Sequence, residues 1–273
     1  MITYGHECYI KQAIESVLMQ KVDFKVELVV ADDCSTDKTN SIVNFLKDNY
    51  PNGNWIQYTR HEQNKGMMPN FMWALKQCRG KYIALCEGDD YWTDPFKLQK
   101  QVGFLEKNPD FNMCFHRANI LNGQRLSLQH IPEPYDKTPF YYSDLLKNHN
   151  FITTASVVLR NTPLFEIPTW FKEINFGDLA LYKLVSQNKK IKCLNDIMGV
   201  YREHEQGLYS GQGLIKARLQ YLKFYKSIFP FLSQAEQQMV RLKIAANQKE
   251  IAKLKFPKRI LLQKFYYLYL KTI

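Results

Sequence analysis

The stretch KYIALCEGDD, residues 81–90, decides the fold of this chain of 273 residues. Its first six residues predict a buried strand, since all of them after Lys81 are apolar, and its last four, Glu87-Gly88-Asp89-Asp90, follow where that strand ends. Carboxylates separated by one residue at such a point can face one ligand, and their hard oxygens suit Mg²⁺ or Mn²⁺. Gly88 would let a phosphate approach the backbone. The alternative interpretation is an acidic surface turn in which Asp89 or Asp90 caps the next helix.

Strands and helices alternate on the N-terminal side of this stretch. Apolar and β-branched runs predict strands at residues 1–4, 26–30 and 55–58. The helical spacing of apolar residues predicts helices at 9–20, around 42–46 and at 69–78. This alternation implies βαβ units, and therefore an α/β fold with a mostly parallel sheet that helices cover.

The polar residues of this half cluster where strands end. Residues 3–7, 32–37 and 87–90 each follow a predicted strand, and parallel sheets bind ligands at the carboxyl ends of their strands. Three clusters on one rim therefore predict a binding site. In the second cluster, a carboxylate at Asp32-Asp33 could accept a hydrogen bond from a nucleobase N–H. An Asx turn leading into a helix cap is the other interpretation, although it fits Asp37 better than Asp33, and one loop can do both.

The C-terminal half carries fewer signals. We expect helices at 96–105 and 179–187, strands at 111–115, 155–159 and 191–200, a loop over 122–140, and only helix after Gly213. Asp178 stands where it would cap the helix at 179–187, and it could also serve as a general base. His204 is either a hydrogen-bonded structural histidine or, beside Arg202, part of a flap that closes over a phosphate.

Positive charge is concentrated in the C-terminal segment 211–273. It holds 13 of the 37 Lys and Arg residues but only two of the 26 acids, so it carries the whole formal net charge of +11. Aromatic residues are interleaved with these cations, and basic amphipathic helices with aromatic faces suit an anionic membrane surface. Helices that pack on the core and present a solvated basic face are the second interpretation. Nucleic-acid binding, which has the same electrostatic footprint, is the third and least favoured.

Composition limits the class of protein. A hydrophobic content of 45% and an aromatic content of 14% exclude a disordered chain. Six cysteines without a C-x-x-C pair predict buried free thiols in a reducing cytoplasm rather than disulfides or a zinc site. No signal peptide is recognisable, and no apolar run reaches the roughly 18–20 residues of a spanning helix. We therefore expect a cytoplasmic protein, peripheral on the inner face of the cell membrane.

Five ordered motifs resemble those of family-2 glycosyltransferases of the bacterial surface-polysaccharide type. They run from residue 1 to about residue 210. The first two read ITYGHE at 2–7 and VADDCSTD at 30–37, and the third runs from GKYIA to EGDDYW at 80–92 and continues with Pro95, Lys97, Leu98 and Gln101. The last two are Gly177-Asp178 and YREHEQGLYS at 201–210. The resemblance implies an A-type glycosyltransferase fold with a Rossmann-like sheet. It also implies a catalytic domain over 1–210, followed by a helical extension over 211–273.

The resemblance further implies a nucleotide-sugar donor, most often a UDP-sugar, a divalent cation (Mn²⁺ or Mg²⁺), and a saccharide or lipid-linked saccharide acceptor. By position, Asp33 would hold the base and Asp89 would ligate the metal that bridges the diphosphate. Glu87 stands where the family has the first Asp of its acidic motif. Asp178 would be the general base. His204 would reach the metal or the diphosphate from a flap that contains Gly207 and Ser210.

Further donor-binding positions come from the same loops. They are Thr3, Tyr4, Glu7, Asp32, Gly66 and Gly88. The chain departs from the family pattern at two points. The first strand is expected to be shortened at Met1, and Gly5 replaces a usual Asn, which is expected to loosen the turn beside the base.

A second function remains open at this point. The chain could be a catalytically silent nucleotide-sugar-binding or scaffold protein at a membrane assembly site, although the carboxylate at Asp178 favours catalysis. A dinucleotide-binding oxidoreductase is disfavoured because no G-x-G-x-x-G motif follows the first strand.

Overall fold

The computed structural model describes residues 1–136, 139–148, 150–161, 167–204 and 213–272. The chain divides into two compact units. The first comprises Met1–Lys172 and Gly177–Glu203, and the second comprises Glu173–Phe176 and His204–Ile273.

The first unit contains a parallel sheet of three strands, in the order β1 (Ile2–Thr3), β2 (Leu28–Asp32) and β3 (Ile56–Arg60). The helices that follow these strands are α1 (Ile10–Leu18), α2 (Thr39–Asn49) and α3 (Met67–Gln77). All five residues of β2 are buried, as expected for the central strand of a covered parallel sheet. The register pairs the last residue of β1 with the last residue of β2, so both strands end at one rim.

A second sheet in the same unit is mixed. Its strands run in the order β4-β8-β6-β9-β5, and β7 pairs with β6. They are β4 (Tyr82–Ala84), β5 (Tyr91–Trp92), β6 (Phe111–Asn122), β7 (Arg125–Leu128), β8 (Val158–Arg160) and β9 (Lys190–Glu203). Only β6 and β9 are parallel to each other among these described pairs. The predicted α/β fold is confirmed, but parallel pairing is limited to β1–β3 and to β6 with β9.

The prediction of an unstructured loop over 122–140 is wrong for its first part. Residues 125–128 form β7, which pairs with the end of β6 through a tight hairpin. Gly123 lies in that hairpin at φ +59°, a conformation that glycine adopts without steric cost. The three prolines that motivated the loop prediction all come later, at or after Pro132.

The two sheets approach each other beside the acidic stretch. The N–H of Gly88 donates a hydrogen bond of 3.0 Å to the carbonyl of Ile2, so the loop after β4 lies against β1. The remaining helices of this unit are α4 (Lys97–Lys107), α5 (Tyr142–Asn148) and α6 (Gly177–Ser186). Buried side chains from both sheets and their helices, including Ile14, Val30 and Leu105, pack in one core that holds the strand ends in place.

The second unit is helical, as predicted for the residues after Gly213. It contains α7 (Leu214–Ile228), α8 (Gln234–Lys255) and α9 (Ile260–Thr272). Its own core includes Leu222, Ile251 and Leu270, one from each helix. Among the described residues, no helix combines the length and the apolar character that crossing a bilayer requires.

Candidate functional site

The carboxylates of Glu87, Asp89 and Asp90 converge in the loop after β4. One oxygen atom from each lies within 4.8 Å of the others. Asp90 is buried, and its Oδ1 accepts the backbone N–H of Arg202 at 2.9 Å. Its Oδ2 is also buried and has no hydrogen-bond partner among the described residues. Because a buried carboxylate oxygen without a partner is costly and all three groups are hard oxygen donors, this loop fits a divalent cation.

The protonation of these carboxylates reflects their crowding. Burial, followed by the charges of Asp89 and Asp178, raises the pKa of Glu87 to about 8. Burial also raises the pKa of Asp90 well above its usual value, with further contributions from Asp89 and Glu87 and an opposing one from Arg202. Several negative charges this close repel one another in a low dielectric. A bound cation would reverse that balance and favour the ionised forms.

Gly88 brings the acidic loop into contact with the loop after β1. A Cβ atom at this position would stand 2.8 Å from Thr3 Oγ1 and 2.8 Å from His6 Nδ1, so these two side chains require glycine here. Thr3 Oγ1 is buried and has no hydrogen-bond partner in the described part of the chain. His6 Nε2 lies 3.9 Å from Asp89 Oδ2. The role of Gly88 in phosphate approach stays a prediction, because packing alone explains the glycine.

Asp33, predicted to hold the base, anchors the loop before α3. Its two carboxylate oxygens accept the backbone N–H groups of Lys65 at 2.7 Å and Gly66 at 2.8 Å. Gly66 has a φ of +88°, which favours glycine, and it thereby joins the same rim. A carboxylate has about four lone-pair sites, so Asp33 can still accept a hydrogen bond from a ligand. Its contact with a base stays a prediction.

Asp32 is fully buried at the end of β2. Its Oδ1 accepts the backbone N–H of Ser35 at 2.8 Å, and its Oδ2 accepts the hydroxyl of Tyr58 at 2.7 Å. The Ser35 hydroxyl in turn accepts the N–H of Gly5 at 3.0 Å. The structure therefore supports Asp32 as an anchor of the 33–37 turn, and its predicted contact with the donor is untested.

Tyr4 and Glu7 follow β1 on the same rim. The Tyr4 side chain is exposed. The Glu7 carboxylate accepts the N–H of Lys38 at 2.9 Å, and the Glu7 N–H donates to Asp37 Oδ2 at 2.9 Å. This exchange ties the loop after β1 to the loop after β2. It gives Glu7 a loop-positioning contact, and direct donor binding by Tyr4 or Glu7 stays a prediction.

Asp178, the predicted general base, lies in the first turn of α6 and is half-buried. Burial raises its pKa, while backbone N–H groups at the helix start and the Asn150 side chain oppose that rise. Asn150 donates from Nδ2 to Asp178 Oδ2 at 2.6 Å and accepts the Ile152 N–H at 3.1 Å. The charge of Asp178 contributes to the raised pKa of Glu87, so the two carboxylates share one electrostatic environment.

The start of α6 also packs against α3. A Cβ atom on Gly177 would stand 2.6 Å from Met68 Cε, so glycine permits this close approach. Since α3 begins directly after Gly66, the loop that Asp33 anchors and the turn that presents Asp178 belong to one packed assembly within the first unit.

The structure describes only part of the predicted flap. His204 belongs to the second unit and is half-buried, and its role at the metal or diphosphate stays a prediction. Gly207 and Ser210 lie outside the described residues. Sequence reasoning gave no role to His6 and missed Asn150 altogether, because only the fold brings them to Asp89 and Asp178. The sole signal was that His6 falls inside the first motif.

Residues 1–165 match the family model described as Glycosyl transferase family 2. A Mycobacterium tuberculosis protein described as uncharacterised is 36% identical over 209 residues, which are 76% of this chain and 59% of that protein. This chain thus spans less than two thirds of that relative. The Escherichia coli UDP-Glc:alpha-D-GlcNAc-diphosphoundecaprenol beta-1,3-glucosyltransferase WfaP is 30% identical over 206 residues, which are 74% of each chain.

A solved structure shows the same fold. The mannosyltransferase PcManGT from Pyrobaculum calidifontis, in complex with GDP-Man and Mn²⁺, superposes with a TM-score of 0.62 at 14% identity, covering 99% of this chain and 84% of that one. The predicted A-type glycosyltransferase fold is confirmed. Since the family model covers more than half of the sequence, the chain belongs to glycosyl transferase family 2.

Proposed function

We propose that this chain is an inverting, metal-dependent glycosyltransferase that moves a sugar from a UDP-sugar to a saccharide or lipid-linked saccharide acceptor in surface-polysaccharide synthesis. The observation that carries the proposal is the shared environment of the acidic loop at 87–90 and Asp178 in a member of this family. The name of the Escherichia coli relative, which includes UDP-Glc and a diphosphoundecaprenol-linked sugar, supports the classes of donor and acceptor.

In the proposal, the donor binds along the rim of the first unit. Asp33 accepts a hydrogen bond from the ring N–H of uracil while it holds Lys65 and Gly66. Thr3, whose hydroxyl is buried beside Gly88, and exposed Tyr4 contact the donor. Three more of the predicted donor-binding residues also hold the loops in place. They are Glu7, Asp32 and Gly88.

Asp89 would hold Mn²⁺ or Mg²⁺, with Glu87 and Asp90 beside it. When bound, the cation acts as a Lewis acid that neutralises the leaving diphosphate. The Mn²⁺ in the Pyrobaculum calidifontis mannosyltransferase and the buried Asp90 oxygen support this assignment.

Asp178 accepts the proton of the acceptor hydroxyl as that oxygen attacks the anomeric carbon. A single carboxylate on the sugar face is sufficient for direct displacement, which inverts the configuration. The raised pKa of Asp178 suits a general base that works near neutral pH. The hydrogen bond from Asn150 fixes the orientation of the carboxylate.

The test is UDP release from a panel of UDP-sugars with Mn²⁺, with and without saccharide acceptors. The unsubstituted protein should release UDP, and Asp178→Asn should lower acceptor-dependent release by about 10²–10⁴-fold. Asp196→Asn is the matched control, since Asp196 is an exposed acid that pairs with Lys100 and should leave the rate unchanged. Donor binding without any turnover, together with indifference to Asp178→Asn, would instead support the catalytically silent scaffold.

We also propose that segment 211–273 binds an anionic membrane surface from the cytoplasmic side and binds no nucleic acid. The helix α9 exposes six large apolar side chains, and no acid lies after Glu250 in the sequence. The exposed side chains are Ile260, Leu261, Leu262, Phe265, Leu268 and Tyr269. Apolar area combined with excess positive charge is what binding to anionic lipid requires.

Vesicle sedimentation tests this surface. The protein should sediment with phosphatidylglycerol-containing vesicles more than with phosphatidylcholine vesicles, and the double change Leu261→Glu with Phe265→Glu should abolish the difference. Phe45→Glu is the control, because Phe45 is 55% exposed on α2, outside segment 211–273. Equal sedimentation of all variants, or steeply salt-dependent binding to nucleic acid, would contradict the assignment.

A further inference from the structure

Arg202 lies near the end of β9 and contacts the acidic loop from two directions. Its backbone N–H donates to Asp90 Oδ1 at 2.9 Å. Its guanidinium donates through Nη1 to the backbone carbonyl of Asp89. One residue therefore holds two consecutive acids, one through its carboxylate and the other through its main chain. A hydrogen bond from a charged donor such as a guanidinium is among the stronger ones in proteins, so the contact with the Asp89 carbonyl restricts how the loop can move.

The same guanidinium is fixed by residues outside the loop. Nη2 donates to Gln12 Oε1 on α1. The guanidinium carbon lies 4.4 Å from the centre of the Tyr91 ring and 5.3 Å from that of Tyr9. Arg202 thus connects α1, the acidic loop and β9 within the first unit. Its planar fork is oriented by two hydrogen bonds and two aromatic rings, which a lysine ammonium could not reproduce.

We propose that Arg202 is a positioning residue that sets the orientation of Asp89 and Asp90 toward the bound cation. This inference rests on the metal assignment of the proposed function and goes beyond it. Sequence reasoning placed Arg202 in a flap that closes over phosphate, but two of its guanidinium nitrogens bind the Asp89 carbonyl and Gln12 instead. Residues that orient metal ligands from behind typically change metal affinity by about 10–100-fold when they are removed.

The contacts of Arg202 also explain why its removal should lower the affinity for the metal. Asp90 Oδ1 accepts the Arg202 N–H, and its Oδ2 is buried without a hydrogen-bond partner among the described residues. If the main chain at 89–90 shifts, the carboxylate oxygens that now lie within 4.8 Å of one another separate. Loss of Arg202 should therefore weaken cation binding while the fold of the first unit persists.

The experiment measures Mn²⁺ affinity by isothermal titration calorimetry on the full chain without donor, with Mn²⁺ electron paramagnetic resonance as a readout of ligand geometry. Arg202→Ala and Arg202→Lys should each weaken binding by about 10–100-fold and alter the resonance spectrum. Gln12→Ala, at an exposed position of α1, should fold normally and weaken binding by a smaller factor in the same direction.

Arg117→Ala is the matched control. Arg117 makes the same kinds of contact elsewhere in the first unit, a hydrogen bond of 3.1 Å to Asn195 and a guanidinium 5.1 Å from the Tyr135 ring. It should bind Mn²⁺ like the unsubstituted protein. Excess Mn²⁺ should raise UDP release by Arg202→Lys toward that of the unsubstituted protein, because weaker metal binding is the main consequence of the substitution.

Two outcomes overturn the inference, and only the second of them also overturns the metal assignment. If the unsubstituted protein binds Mn²⁺ and both Arg202→Lys and Gln12→Ala bind it equally well, Arg202 does not position the ligands and the metal assignment survives. If the unsubstituted protein binds no Mn²⁺, the metal assignment fails together with the role of Arg202.

Discussion

At the end of β2, the Asp33 carboxylate receives two backbone N–H groups, from Lys65 and Gly66. At the end of β4, the Asp90 carboxylate receives one N–H group, from Arg202, and its other oxygen is buried without a partner among the described residues. Both acids follow strands on the same rim, but the second lies in a cluster of carboxylates, where burial first and neighbouring acids second raise the pKa values of Glu87 and Asp90. Backbone N–H groups satisfy the oxygens of the first carboxylate, and we propose that a cation satisfies the second.

This difference suggests separate tasks. A carboxylate satisfied by backbone donors fixes a loop, and here Asp33 fixes the loop from which α3 begins. Crowded carboxylates with a buried open oxygen are costly until a positive ligand arrives. Acidic residues at a strand end are therefore not sufficient to indicate a metal site. The hydrogen-bond partners of their carboxylate oxygens are more informative.

The largest expected effect is on UDP release, which should respond differently to substitutions at the two strand ends. Asp89→Ala should lower UDP release by about 10³-fold at a Mn²⁺ concentration that saturates the unsubstituted protein, since metal stabilisation of the leaving diphosphate contributes several kcal/mol. Asp33→Asn should act mainly through donor affinity, raising the KM for the UDP-sugar by about tenfold with a smaller change in kcat. Steady-state kinetics of UDP release measure both. Equal losses of kcat in the two variants would remove the distinction.

A second prediction concerns pH and uses Glu87. Its pKa in the folded protein is about 8, raised from 4.5, so the folded state binds this proton more tightly than the unfolded state. The stability gained from that proton is present below pH 4.5 and is lost as the pH rises toward about 8. The Glu87→Gln variant, which stays neutral, should therefore gain stability relative to the unsubstituted protein between these values.

Thermal melting in EDTA at about pH 5 and at about pH 9 checks this. The melting temperature of the unsubstituted protein should fall relative to that of Glu87→Gln as the pH rises, and added Mn²⁺ should reverse the difference. Parallel melting curves at both pH values would show that Glu87 is not held in a crowded acidic cluster.

A third and smaller effect concerns the loop that Asp33 anchors. Asp33→Asn replaces one of two acceptors by an amide donor, so one of the N–H groups of Lys65 and Gly66 loses its partner. The free energy of unfolding should fall by about 1–3 kcal/mol in urea denaturation. Mn²⁺ affinity should stay unchanged, and a loss of metal binding in this variant would contradict the separation of tasks.

The smallest expected effect is on stability and comes from a substitution next to Asp32, at the end of β2. Tyr58→Phe removes the hydroxyl that donates to the buried Asp32 carboxylate. Burial and the adjacent Asp32 raise the pKa of Tyr58, so the hydroxyl is protonated and this hydrogen bond persists across the working pH range. The variant should lose about 0.5–1.5 kcal/mol of stability and keep its Mn²⁺ affinity. A change in metal affinity would mean that the two strand ends are coupled.

Much of the rim could be predicted from the sequence because it follows from local patterns. The apolar runs before Asp33 and Glu87 mark the strands, and strand ends in an α/β fold meet on one side. Strand boundaries were less accurate, since β2 begins at Leu28 rather than at residue 26. Antiparallel pairing of β4 with β8 could not be foreseen, because it joins segments more than seventy residues apart.

The hydrogen-bond partners of the acidic residues could not be predicted from the sequence either, because they too come from distant segments of the chain. Asp32 and Asp33 are neighbours with the same side chain, but one is enclosed by Ser35 and Tyr58 and the other binds Lys65 and Gly66. Tertiary contacts alone decide this. Asn150, 28 positions before Asp178 in the sequence, reaches it only through the fold.

The central claim is that the acidic loop at 87–90, and not the equally acidic end of β2, binds the cation. Calorimetric titration of Mn²⁺ into the unsubstituted protein, Asp89→Ala and Asp33→Asn tests it most directly. We predict one binding event in the unsubstituted protein and in Asp33→Asn, with closely similar affinity, and none in Asp89→Ala. Mn²⁺ binding that survives in Asp89→Ala but disappears in Asp33→Asn would contradict the account.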